Sequence, residues 1–98
     1  MPFAYVIQNL SDGMAAKRPS WGGYVKKTVT ETSTGAYTLT FKNRAGTEYV
    51  YTWNGTAWSA PSTPLSVDAE IMAAMAASDW IAGSVADFEA ARSGSGVW

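Results

Sequence analysis

The sequence predicts an α+β fold: a small antiparallel sheet of four to five strands, with an N-terminal helix and one or two C-terminal helices packed on it. Three observations predict it. Tyr37, Leu39 and Phe41 alternate with polar residues, as do Tyr49, Tyr51 and Trp53, giving the period of a half-buried strand. Phe3, Val6, Ile7 and Leu10 fall at i, i+3, i+4 and i+7, which is one apolar stripe on a helix. Short stretches rich in Gly, Asn and Ser separate the strand-like runs at hairpin-loop length.

Each element follows in order. The first helix is expected to end at Asp12-Gly13, because glycine readily adopts the left-handed cap conformation. Tyr24 to Glu31 is rich in Val, Thr and Tyr and reads as a strand. Thr32-Ser33-Thr34-Gly35 and Asn43-Arg44-Ala45-Gly46 read as hairpin loops on either side of the Tyr37–Phe41 strand. Asn54-Gly55, after the Tyr49–Trp53 strand, is a strong short hairpin signal and leads into Thr56 to Ser59. Pro61 and Pro64 end the sheet region. Ser66 is placed to cap a second helix, with Asp68 and Glu70 favourable at the positive end of its dipole and Ile71, Met72 and Met75 on its apolar face. Ser78 to Ile81 reads as a short returning strand, and Ser84-Val85-Ala86-Asp87 as the cap of a last helix, Val85 to Arg92. Residues 1–92 therefore form a single α+β ligand-binding domain, and the Gly/Ser-rich 93–98 a flexible tail.

Composition narrows the chemistry. A chain of 98 residues has room for one modest core. Seven Lys+Arg against eight Asp+Glu give a net charge of −1, so wholesale attraction to polymeric nucleic acid or to an anionic membrane is not expected. Six cations, Lys17, Arg18, Lys26, Lys27, Lys42 and Arg44, nonetheless fall in the first half, allowing a locally positive face. With no cysteine and no histidine, disulfides, thiol nucleophiles, His-based triads and ordinary zinc or haem sites are excluded. MPFAYVIQNL carries no signal-peptide pattern, and no apolar run approaches the roughly 18–20 residues of a membrane span. No cofactor is implied, no carboxylate pair stands at a recognisable catalytic spacing, and Gly22-Gly23 is not a phosphate loop. The chain is read as a binding protein, not an enzyme.

The stretch KRPSWGGY, residues 17–24, holds the sharpest candidates. Trp21 flanked by glycine offers a stacking shelf, Arg18 a fork-shaped cation for phosphate, and Gly22 close backbone approach. The competing reading has Trp21 opening a strand and packing on the first helix, with Arg18 solvated. Asp79 can accept hydrogen bonds from an amino group or ribose hydroxyls; alternatively it caps the preceding turn while Trp80 fills core. Trp53 and Trp58 flank the Asn-Gly turn as a cross-strand pair, or as an exposed surface for sugar or a partner.

Read in order, FAYVIQNLSDG, KRPSW and PLSVDAEIMAAMAASDW, an amphipathic helix, a basic stretch with Trp, and a short helix followed by Asp-Trp, resemble the small phage family named for Thoeris anti-defence, second type. The resemblance spans roughly Phe3 to Ile81. It implies a sponge that binds and sequesters a cyclic ADP-ribose isomer without cleaving it, with some relatives also holding cyclic oligonucleotides. It further implies a homotetramer with pockets at subunit interfaces, acting in the cytoplasm of the infected bacterial host. By this resemblance Trp21 matches the family's stacking tryptophan and Asp79 the acid of the closing Asp-Trp, whereas Arg18 is added from its charge, Gly22 for close approach, and Tyr24 and Trp53 as pocket walls. The chain departs from the pattern where Trp21-Gly22-Gly23 replaces the usual Trp-Asn-Gly and where 82–98 extends beyond it. The alternatives are a phage virion structural or tail-associated interaction module, suggested by the aromatic Trp-Asn-Gly-Thr-Ala-Trp turn, and an inhibitor acting through protein contact.

Overall fold

Period-two alternation from Tyr24 to Trp53 builds the middle of one sheet. The computed structural model describes residues 1–11, 13–92 and 98. Its elements are α1 (Phe3–Gln8), β1 (Met14–Lys17), β2 (Tyr24–Glu31), β3 (Ala36–Lys42), β4 (Glu48–Trp53), β5 (Trp58–Ser59), α2 (Leu65–Met75), β6 (Ile81–Ser84) and α3 (Val85–Ala91). The strands form a six-stranded sheet in the order β5-β4-β3-β2-β1-β6, and every pairing is antiparallel. The architecture is α+β, as the sequence predicts.

Register assigns the faces. Val25, Lys27 and Val29 stand opposite Phe41, Leu39 and Tyr37, which in turn stand opposite Tyr49, Tyr51 and Trp53. Because side chains alternate along a strand, these residues share one face. Phe3, Val6 and Ile7 of α1 and Ile71 and Ala74 of α2 close over it to make the core. Trp80 is fully buried in that core. Its indole meets Phe3 at 4.8 Å and Trp21 at 5.1 Å, and its Nε1–H donates to the Ala74 carbonyl at 2.9 Å. Thus the ring secures the end of α2 as well as the core beneath.

The opposite face carries α3. Tyr24, one residue out of phase with Val25, donates its hydroxyl to Glu89 Oε2 at 2.6 Å. The Phe88 ring lies so close to Gly83 that a Cβ there would fall 2.5 Å from it. Ser84 caps this helix as the sequence predicts, accepting the Asp87 N–H at 3.0 Å.

Several expectations are corrected. The sheet has six strands rather than four to five, because Met14–Lys17, leading into the basic stretch, forms a further strand, β1, that joins β2 to β6. The residues of β1, MAAK, carry no strand propensity, and pairing on both edges supplies what propensity does not. Helix α1 ends at Gln8 with Asn9 as its C-cap, before the expected Asp12-Gly13; Asp12 lies outside the described residues. Pro64, not Ser66, occupies the N-cap of α2, and its carbonyl accepts the Asp68 N–H at 2.9 Å. Met72, expected on the apolar face, is 39% exposed. The strand after Asn54-Gly55 is only Trp58–Ser59, because Asn54 Oδ1 accepts the Thr56 N–H, the Thr56 hydroxyl and the Ala57 N–H, each at 2.9 Å, and holds those residues in the loop. Of the expected flexible tail, 93–97 lie outside the described residues, whereas Trp98 packs flat against Trp21 at 4.8 Å.

Candidate functional site

Helix α1 has six residues and so spans roughly 9 Å, whereas the eight residues of β2 extend about 26 Å. Alongside α1, Val29, Tyr37, Trp53 and Trp58 line an open groove of about 720 Å³, which Ile7 and Gln8 of the helix and Lys27 of β2 also border. That volume falls within the roughly 300–1,000 Å³ of small-molecule sites.

The groove is aromatic on its floor. Trp53 and Trp58 are cross-strand partners, with ring centroids 5.0 Å apart. Tyr37 meets Trp58 edge-on at 5.7 Å. All three rings are half-buried. Val29 beside them is 47% exposed. Lys27 Nζ stands 4.9 Å from the Tyr37 ring centroid and donates to the Ile7 carbonyl at 3.1 Å, which holds a positive charge at the wall. Burial raises the Tyr37 hydroxyl pKa above its ordinary value, so that group stays a neutral donor. Gln8 and Glu31 add polar atoms along the lining. The arrangement offers faces for a flat ring, one cation, and polar groups at the edge.

The residues expected from sequence divide between this groove and other places. Trp53 lines it. Trp21 does not: it is 7% exposed, with Trp98 stacked on one face and Trp80 edge-on against it. The expected open shelf is thus corrected, since other rings of the same chain cover it. Arg18 and Asp79 are brought together beside Trp21, but with each other: Arg18 Nε donates to Asp79 Oδ1 at 2.8 Å and Nη2 to Oδ2 at 3.3 Å. The pair raises the Arg18 pKa and lowers that of Asp79. Tyr24, expected as a pocket wall, is 3% exposed and lies on the opposite face, bonded to Glu89. Its hydroxyl pKa is pushed up to about 12 by burial first and the Glu89 hydrogen bond second. Glu89 in turn is held down to about 2 by Arg92, Tyr24 and Lys42.

Gly22 and Gly23 have a structural task. A Cβ on Gly23 would fall 2.2 Å from the Lys42 carbonyl, so only glycine lets the chain cross the end of β3. A Cβ on Gly22 would meet the Arg44 side chain at 2.7 Å. Sequence reasoning passed over Tyr37 and Lys27 as site residues. The signal was present: Lys27 is in phase with Val25 and Val29, so a cation stands on an otherwise apolar strand face.

Among the described residues there is no cluster of three or more metal-ligating side chains, and no helix is long and apolar enough to cross a membrane. No family model matches the chain, and no curated protein or solved structure is detectably similar to it.

Proposed function

We propose that this chain is a binding protein that sequesters a cyclic ADP-ribose isomer, a phage sponge for a bacterial immune signal, and does no chemistry on what it holds. The observation that carries the reading is the open groove floored by Trp53, Trp58 and Tyr37 with Lys27 at its wall. Its parts suit a purine joined to a pyrophosphate. An indole face stacks the base, worth roughly 1–3 kcal/mol. A cation offsets the phosphate charge, and edge acceptors such as Glu31 take hydrogen bonds from amino or hydroxyl groups. The resemblance in the order of helix, basic Trp stretch and Asp-Trp supplies the ligand class.

In this reading the ligand seats at Trp53 rather than Trp21, whose face is covered. The protein works in the cytoplasm of the infected host as a homotetramer. A second copy closing over the open side would increase ligand burial, which a domain this small achieves with difficulty alone.

Incubation with glycocyclic ADP-ribose, filtration and heat denaturation tests this. The intact molecule should stay with the protein through the filter and reappear unaltered after heating, and the melting temperature should rise with ligand concentration. Ligand in the first filtrate, or a hydrolysed product, contradicts the reading. Recovery of the protein in purified virions, with no thermal shift from any nucleotide, favours a structural module whose groove is covered by another protein.

A further inference from the structure

The corner at Trp21 has the parts of a second binding site, and residue 98 fills it. The Trp98 indole lies on Trp21 with centroids 4.8 Å apart and planes 20° apart. Phe41 closes one edge at 6.4 Å and Tyr49 another at 6.2 Å. The indole Nε1–H donates to Glu70 Oε2 at 2.9 Å. Its main-chain oxygen accepts two consecutive backbone N–H groups, from Gly22 at 2.5 Å and Gly23 at 3.2 Å. Beside them the Arg44 side chain lies along Gly22, fixed by a bond from Nη2 to the Ser20 carbonyl at 3.2 Å.

We infer that this corner is a slot for a planar heteroaromatic ring that bears an N–H donor and carries an anionic group on a short arm, with Trp98 as its intramolecular occupant. The walls come from segments distant in the chain: Trp21, Gly22 and Gly23 after β1, Phe41 on β3, Tyr49 on β4 and Glu70 on α2. Each wall serves a different part of the guest. The stacked ring selects flatness, and the Glu70 carboxylate selects an N–H, since an ionised acid only accepts. Paired backbone N–H groups beside a guanidinium select an oxyanion, as backbone nests do. Glycine at position 23 is required for the backbone to reach this geometry at all. The site lies at the opposite end of the helix-covered face from the Trp53 groove and is independent of what that groove binds.

The test uses the full chain with Trp98→Ala and indolepropionate, which supplies an indole ring, its N–H and an oxyanion for the Gly22 and Gly23 N–H groups. Trp98→Ala should melt below the wild type, and millimolar indolepropionate should restore much of the loss. Indole without the acid should restore less, and propionate nothing. The wild type should respond on the order of tenfold more weakly, because a tethered occupant competes at millimolar effective concentration. If Trp98→Ala folds only with the acid present, that dependence supports the slot directly. Trp98→Phe, which preserves part of the packing, should show a smaller gain of the same kind. No shift in either variant overturns the proposal, and so does an equal shift in wild type and variants, which would place the probe elsewhere. Loss of cyclic ADP-ribose binding at the groove would leave these outcomes unchanged.

Discussion

Two aromatic clusters sit on the same face of one sheet and have opposite fates. At one end, Trp21, Trp80 and Trp98 pack against one another and, through Trp80, on Phe3 of α1, with Trp80 bonded to the end of α2. At the far end Tyr37, Trp53 and Trp58 make a similar cluster, but they stay half-buried and border an open groove. The residue types are nearly the same. What differs is what lies against each: Trp80 and Trp98 close on Trp21, whereas Tyr37, Trp53 and Trp58 are left facing a groove, so whether a ring is covered is decided by residues remote in sequence.

Substitutions sharpen the contrast. The largest effect is expected from Trp80→Ala, which removes a fully buried indole and its bond to Ala74; urea denaturation should show a loss of about 3–5 kcal/mol. Tyr51→Phe should come next. It leaves Asp68, half-buried, without the hydroxyl that donates to it, a cost of about 1 kcal/mol. Trp53→Ala should reverse the pattern. Stability should fall by no more than about 1 kcal/mol, the worth of a cross-strand pair. Ligand affinity should fall roughly 5- to 150-fold, the equivalent of one lost stacking contact. A Trp53 variant that unfolds like Trp80→Ala would erase the distinction between the clusters.

The α3 attachment gives a smaller, pH-dependent effect. Glu89 is held at about 2 in the fold by Arg92, Tyr24 and Lys42, below its ordinary 4.5. A depressed carboxylate stabilises the fold above its unfolded value, and that contribution is lost as pH falls from about 4.5 towards 2. Glu89→Gln should therefore flatten the acid limb of a stability profile measured by thermal melts. Tyr24 behaves in the opposite sense. Its raised value of about 12 keeps its contribution below pH 10 and removes it as pH climbs towards 12. The least change is expected from Arg18→Ala, whose ion pair with Asp79 is exposed to water and salt.

Much of the fold was legible because its central strands announce themselves. Tyr37, Leu39 and Phe41 alternate cleanly, and Ser84 marks the start of α3 with a cap that forms as read. β1 was not legible, since Met14-Ala15-Ala16-Lys17 becomes a strand only through partners on both sides. The site was harder. Trp53, singled out from chemistry, lines the groove, but that Trp21 is covered depends on residue 98, and no local pattern links the two. Arg18 and Asp79, read as ligand contacts, satisfy each other because the fold joins positions 61 residues apart. Local rules find side chains suited to a ligand; they do not show which of them the fold has already used.

The most direct test labels the tryptophans with fluorotryptophan and follows fluorine NMR during titration with glycocyclic ADP-ribose, resonances being assigned by single substitutions. The Trp53 and Trp58 signals should move in step with added ligand while Trp80 stays fixed. Movement of the Trp21 signal with Trp53 and Trp58 unchanged, or no movement at all, would contradict the assignment of the open groove as the binding site.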